Sequence, residues 1–122
     1  MYTSYFANMR KLPEDMVFIA ITVSPPKWFN GKVYKNLAPT WDILKSYKET
    51  GNEEEFKQRF YNEVLNKLDI NKVVEDLKQL SGVSDLSNVC LLCYEKSDSF
   101  CHRHLVSDFL SSVVDCNEYG GN

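Results

Sequence analysis

Across 122 residues the chain carries 43% hydrophobic and 25% charged residues and a formal net charge of −3. That is enough for one core and one domain, 1–122, with the balance of a soluble globular protein. The slight acidic excess excludes a general polyanion-coating role but leaves room for a local basic pocket. Of 14 basic residues only Arg10, Arg59 and Arg103 are arginines, so guanidinium groups are scarce.

In chain order, Met1 to Phe6 is short, aromatic and β-prone. Met16 to Val23 is a continuous β-branched and aromatic run, as expected of a central strand buried on both faces. Ser24-Pro25-Pro26 ends it. Lys27 to Leu37 reads as a long loop carrying Trp28, Phe29 and Tyr34, with Asn30-Gly31 as a turn. Three helices are predicted next. Pro39 to Lys48 has proline in its first turn and stops before Gly51. Glu53 to Leu68 carries Phe56, Phe60, Tyr61, Val64, Leu65 and Leu68 at helical spacing behind an acidic first turn. Ile70 to Leu80 is capped by Asp69 and closed by Gly82. Asn88 to Glu95 is a second strong strand, Ser99 to Val114 a last helix, and Cys116 to Tyr119 a short edge strand. Strands separated by helices imply a single small layered α/β domain with a mainly parallel sheet flanked by helices.

The longest apolar run is about half the ~20 residues a membrane helix needs, and acidic residues precede it rather than a basic leader. The expectation is a cytoplasmic protein with no membrane partner. The four cysteines all lie in the last third, unlike a disulfide framework spread over the chain. Dispersed lysines form no nucleic-acid stripe, although charge alone does not exclude nucleic acid. Oligomeric state is not legible.

The informative stretch is Leu91 to Leu105, a strand end, a polar loop and a helix start. Cys101, His102 and Arg103 stand together where that helix begins, with Asp98 or Ser99 as its cap. Helix starts offer unpaired N–H groups and partial positive charge. The spot therefore suits an anion or an activated thiol. Helical spacing puts His102, Leu105, Val106, Phe109 and Val113 on the sheet-facing side, and His104, Ser107, Asp108 and Ser111 toward water. Arg103 falls at the boundary, within reach of the strand ends, where open α/β sheets bind ligands.

This segment resembles the signature of the domain of unknown function 488 family, a Leu-Leu-Cys-x-Glu strand end followed by a Cys-His-Arg helix start. Both halves are present, as Leu91 to Glu95 and Cys101 to Arg103. Thr3-Ser4-Tyr5-Phe6, and Tyr34 with Leu37-Ala38-Pro39, are weaker matches. The resemblance implies a small α/β domain with a site built from these positions and brings no established activity. It leads us to expect Glu95, Cys101, His102 and Arg103 to converge with Thr3, Ser4, Tyr5 and Tyr34 in one pocket.

Each candidate has a plainer reading. Cys93 in an apolar strand can be a small hydrophobe. Cys101 can pack under the helix, and His102 can be a satisfied core histidine. Glu95 can be a solvated strand end, or a carboxylate that orients Arg103 or His102. Trp28 and Phe29 can cover core, or serve as a lid or stacking platform. Zinc on Cys90-x-x-Cys93 with Cys101 and His104 has a ligand rhythm but a poor context, because a strand points Cys90 and Cys93 to opposite faces. No metal is expected, and no cofactor either, since a phosphate-binding glycine loop, a hydrolase elbow and a metalloprotease motif are all missing.

Two function classes remain. One is a small enzyme acting on a nucleotide-like or other anionic molecule, with Cys101 or an activated water attacking, His102 and Glu95 moving or orienting protons, and Arg103, Thr3, Ser4, Tyr5 and Tyr34 holding the ligand. The other is a non-catalytic binding module for an anionic ligand or a protein partner.

Overall fold

The computed structural model describes residues 1–95 and 100–119. Five strands form one sheet: β1 (Tyr2–Tyr5), β2 (Val17–Ala20), β3 (Lys32–Val33), β4 (Val89–Cys93) and β5 (Asn117–Glu118). Their order is β3-β2-β4-β1-β5, and every pairing is parallel. The two apolar runs of the sequence, β2 and β4, lie side by side at the centre, with Ile19 opposite Leu91 and Ala20 opposite Leu92.

Handedness explains the layers. The β3-to-β4 and β4-to-β5 connections step across the sheet in one direction, and β1-to-β2 and β2-to-β3 in the other. Right-handed crossovers then put the two sets of connections on opposite faces. Four helices lie on one face: α1 (Trp41–Thr50), α2 (Glu53–Glu63), α3 (Ile70–Ser81) and α4 (His102–Leu110). Their Ile43, Phe60, Leu77 and Leu110 pack with Ile19, Val89 and Leu91 from the strands. The other face is covered by the 3₁₀ turn Phe6–Lys11 and by Phe29, which pack with Leu12, Met16, Ala20, Cys90 and Leu92. Period-2 alternation in β4 thus sends Cys90 and Leu92 one way and Leu91 and Cys93 the other.

Local signals set the helix ends. Thr40 caps α1 by accepting from the Ile43 N–H, so Pro39 precedes the cap instead of opening the helix. Asp69 caps α3, and Gly82 closes it at φ 74 in the left-handed region, as the sequence predicts. The stretch from Glu53 does not stay helical to Leu68. It leaves α geometry at Val64 and turns as 3₁₀ through Leu65–Lys67, which buries the adjacent Val64 and Leu65 together. The Lys27 to Leu37 loop contains β3 and a 3₁₀ turn at Lys35–Leu37. The final helix is shorter than Ser99 to Val114. It begins at His102 with Cys101 as its extended N-cap residue and ends at Leu110, so Val113 falls beyond it and is 45% exposed. The Asp98 or Ser99 cap of the sequence reading lies outside the described residues. Among those described, no helix is long and apolar enough to cross a membrane.

Candidate functional site

β2 feeds the connection toward the β3 edge, while β4 feeds the connection toward the β5 edge. Their adjacent carboxyl ends therefore part, and this is the switch point at which α/β sheets open a crevice. A cavity of about 620 Å³ lies there. Thr22 to Ser24 and Cys93 to Glu95 line it from the strand ends; Trp41, Tyr47 and Lys48 line it from α1 and Phe56 from α2. Phe100, Cys101 and His102 close the side toward α4.

Three of the expected residues meet in this cavity: Glu95, Cys101 and His102. The imidazole is 7% exposed and packs edge-on against Phe60, ring centroids 5.6 Å apart. Its Nε2 lies 2.5 Å from the Ile21 carbonyl oxygen. A carbonyl only accepts, so Nε2 carries the proton and Nδ1 presents a lone pair. That lone pair faces Cys101 Sγ at 3.9 Å. Burial drives the His102 pKa from 6.5 down to about 4, outweighing the opposing hydrogen bond to Ile21. The ring is a neutral base at physiological pH.

Cys101 is joined to Cys93 in a disulfide across eight residues. Sequence reading put Cys101 at the site and left Cys93 a strand hydrophobe; its place on the helix-bearing face of β4 brings it to the same cavity. Cys90, on the other face, is a buried free thiol pushed up to about 12 by desolvation. Burial also raises Cys116. Cys90 therefore does not join Cys93 in the ligand set that the Cys90-x-x-Cys93 rhythm suggests. The His/Cys/Asp/Glu group close enough to share one ion, among the described residues, is Cys93, Cys101 and His102.

Arg103 corrects the sequence reading most sharply. Its guanidinium is fully buried and turned away from the cavity. Nε and Nη2 donate to the two carboxylate oxygens of Glu118 at 3.0 and 2.9 Å, a bidentate pair. Nη1 donates to the Glu95 carbonyl at 2.6 Å and to Cys93 Sγ at 2.9 Å. The Tyr5 ring lies 5.6 Å from its centre. Glu118, in the short closing strand, is thus the carboxylate that orients Arg103; Glu95 serves through its backbone.

The remaining expected ligand residues stand apart from the cavity. Thr3 donates to Glu118 at 2.7 Å and belongs to the buried arginine network. Ser4 points to the opposite face and accepts from Asn8. Tyr34 donates to Asp76 of α3 at 2.7 Å, and burial with that bond raises its pKa to about 12. Trp28 and Phe29 pack by Phe6 on the far face rather than over the cavity.

Sequence reasoning missed Thr22. Its hydroxyl is buried, lines the cavity and has no hydrogen-bond partner among the described residues. The aromatic lining was also missed. Trp41, at the start of α1 and 62% exposed, was the visible signal, and Lys48 one helical turn pair later sits 5.4 Å over its ring.

No curated protein and no solved structure matches the chain. A family model, DUF488-N3a, described as the active DUF488-N3 subclade, matches residues 3–113. That span holds all four helices and both halves of the cysteine motif, and the chain belongs to the DUF488 family.

Proposed function

We propose that this protein is a small cysteine-dependent enzyme acting on a planar, nucleobase- or nucleoside-like molecule in the switch-point cavity. The observation that carries the reading is the acceptor nitrogen of His102 placed 3.9 Å from Cys101 Sγ at the cavity wall. In the reduced protein the Cys101 sulfur adds to an electrophilic ring carbon of the ligand as its proton passes by way of Nδ1 to the ring nitrogen that takes up the displaced π-electron pair. The positive end of α4, at whose N-cap position Cys101 stands, favours thiolate character on that sulfur. Glu95, exposed at the rim, handles a proton on the substrate.

The aromatic walls support a stacked ring. The unpartnered Thr22 hydroxyl supports a polar group on the ligand, because a buried hydroxyl left unmatched is costly. Arg103 is committed to Glu118, so an anionic group would meet Lys48 instead. Thr3, Ser4, Tyr5 and Tyr34 have no part in this proposal. A net charge of −3 favours a small molecule over a nucleic-acid strand. A cytoplasmic setting fits a thiol that must be reduced to act.

The test is alkylation of the reduced protein by iodoacetamide across pH, with Cys101 followed by mass spectrometry and with adenosine or AMP as competitor. We expect half-maximal reactivity below the ordinary thiol value of ~8.5, a shift upward in His102→Gln, and protection by the nucleoside. Thr22→Val should keep the fold, since it removes an unmatched hydroxyl, yet lose protection. Ordinary reactivity with and without His102 would overturn the enzyme reading; saturable binding beside an inert thiol would leave a binding module.

A further inference from the structure

Four cysteines are present, but they divide by place. Cys90 and Cys116 are buried singly in the two apolar clusters. Cys93 and Cys101 are joined at the cavity wall. Their surroundings differ in kind. Cys101 has a neutral imidazole acceptor at its sulfur, whereas Cys93 has a guanidinium donor at its sulfur. A fully buried arginine needs a reason beyond one carboxylate, since Glu118 occupies Nε and Nη2 and leaves Nη1 to the Cys93 sulfur and the Glu95 carbonyl.

We propose that Cys93 and Cys101 form a reversible dithiol–disulfide centre that exchanges with small thiols, with Arg103 as the positioning residue that holds Cys93 as the leaving thiolate. The proposal rests on the reading of the cavity as a thiol site. A small thiolate entering the cavity attacks Cys101 Sγ. The new sulfur–sulfur bond forms as the Cys93–Cys101 bond breaks, and its electron pair leaves on Cys93 as thiolate, hydrogen-bonded by Arg103 Nη1. A second small thiolate attacks the outer sulfur of the mixed disulfide and expels Cys101, which takes up a proton shared with His102 Nδ1. Two small thiols become one small disulfide, and the protein disulfide becomes a dithiol. Run backward, the same steps let Cys101 attack a small disulfide and Cys93 resolve the product. A donor bonded to one sulfur favours its thiolate, and a better thiolate leaves faster.

The full chain is equilibrated with glutathione and glutathione disulfide at varied ratio, quenched with an alkylating agent and weighed. The expected result is a reversible two-electron titration in the wild type. Cys93→Ser should accumulate a glutathione adduct on Cys101, because no neighbour remains to resolve it. In the reduced protein, Arg103→Met should move the pH profile of Cys93 alkylation upward by about one unit, and Arg103→Lys should recover part of the shift. A packing role alone would lower stability and leave that profile in place. Should Arg103→Met fail to fold, the Arg103→Lys profile and the Cys93→Ser adduct still decide. An oxidised fraction indifferent to the glutathione ratio overturns the proposal, as does one equivalent of zinc retained on Cys93, Cys101 and His102. Exchange without nucleoside protection of Cys101 keeps this centre and removes the substrate reading above.

Discussion

Burial holds His102 neutral, and the cost appears as pH dependence. The unfolded imidazole takes up its proton near 6.5 and the folded one near 4. Between those values the unfolded chain binds more protons, so stability falls as the pH falls. The contribution is complete above 6.5 and is lost as the pH drops through about 4. The gap corresponds to about 3 kcal/mol for this buried ring. Urea unfolding of the oxidised protein near pH 7 and well below pH 4 should show that loss, and His102→Gln should show a flatter profile. Equal slopes for the two proteins would mean that carboxylates elsewhere govern acid unfolding. Sequence spacing made His102 legible as a sheet-facing residue, because helical period alone sets the face. It could not supply the Ile21 carbonyl, which comes from the residue just after β2, 81 residues away.

At the scale of elements, the closing strand matters more than its length suggests. β5 has two residues, yet it brings Glu118 to both Arg103 of α4 and Thr3 of β1. The edge strand is thereby tied to the helix that carries the cysteine motif. Glu118→Ala should cost roughly 3 kcal/mol by leaving a buried guanidinium without its carboxylate. Glu118→Gln should cost less, since an amide keeps one acceptor. Thermal unfolding of both variants checks the order; a loss of under 0.5 kcal/mol in Glu118→Ala would show that water reaches Arg103. The same network explains what was illegible. β1, β2, β4, α3 with its Asp69 cap and Gly82 closure, and the short Cys116 to Tyr119 strand follow from local pattern, whereas β3 lies in the stretch that reads as a loop. The partner of Arg103 does not, because Glu95 and Glu118 are equal carboxylates in sequence and only strand order decides between them. Pattern also overextended α2 and α4: Val64 and Val113 continue the apolar period after the helix has ended.

Over the whole molecule, the packed core and the candidate site occupy different parts of the sheet. The body of β4 is buried at every position, with Leu91 at 0% exposure between β2 and β1. Its carboxyl end opens at once into the cavity, where the lining rings of Trp41 and Tyr94 are 62% and 50% exposed. A parallel sheet wrapped on both faces buries its strand middles and leaves its carboxyl ends to loops, so the two roles separate along a single strand. Substitutions should separate accordingly. Leu91→Ala should cost about 2–5 kcal/mol, because the removed atoms leave a hole that close-packed neighbours cannot fill. Trp41→Ala should change stability by only about 0.5 kcal/mol, as expected for an exposed side chain outside the core. It should nonetheless reduce nucleoside protection of Cys101, since a wall of the cavity and the seat of Lys48 are lost together. Chemical denaturation and alkylation rates measured on the same two variants give the comparison. Loss of protection in Leu91→Ala at temperatures where it remains folded, with none in Trp41→Ala, would place the ligand against the sheet rather than against α1.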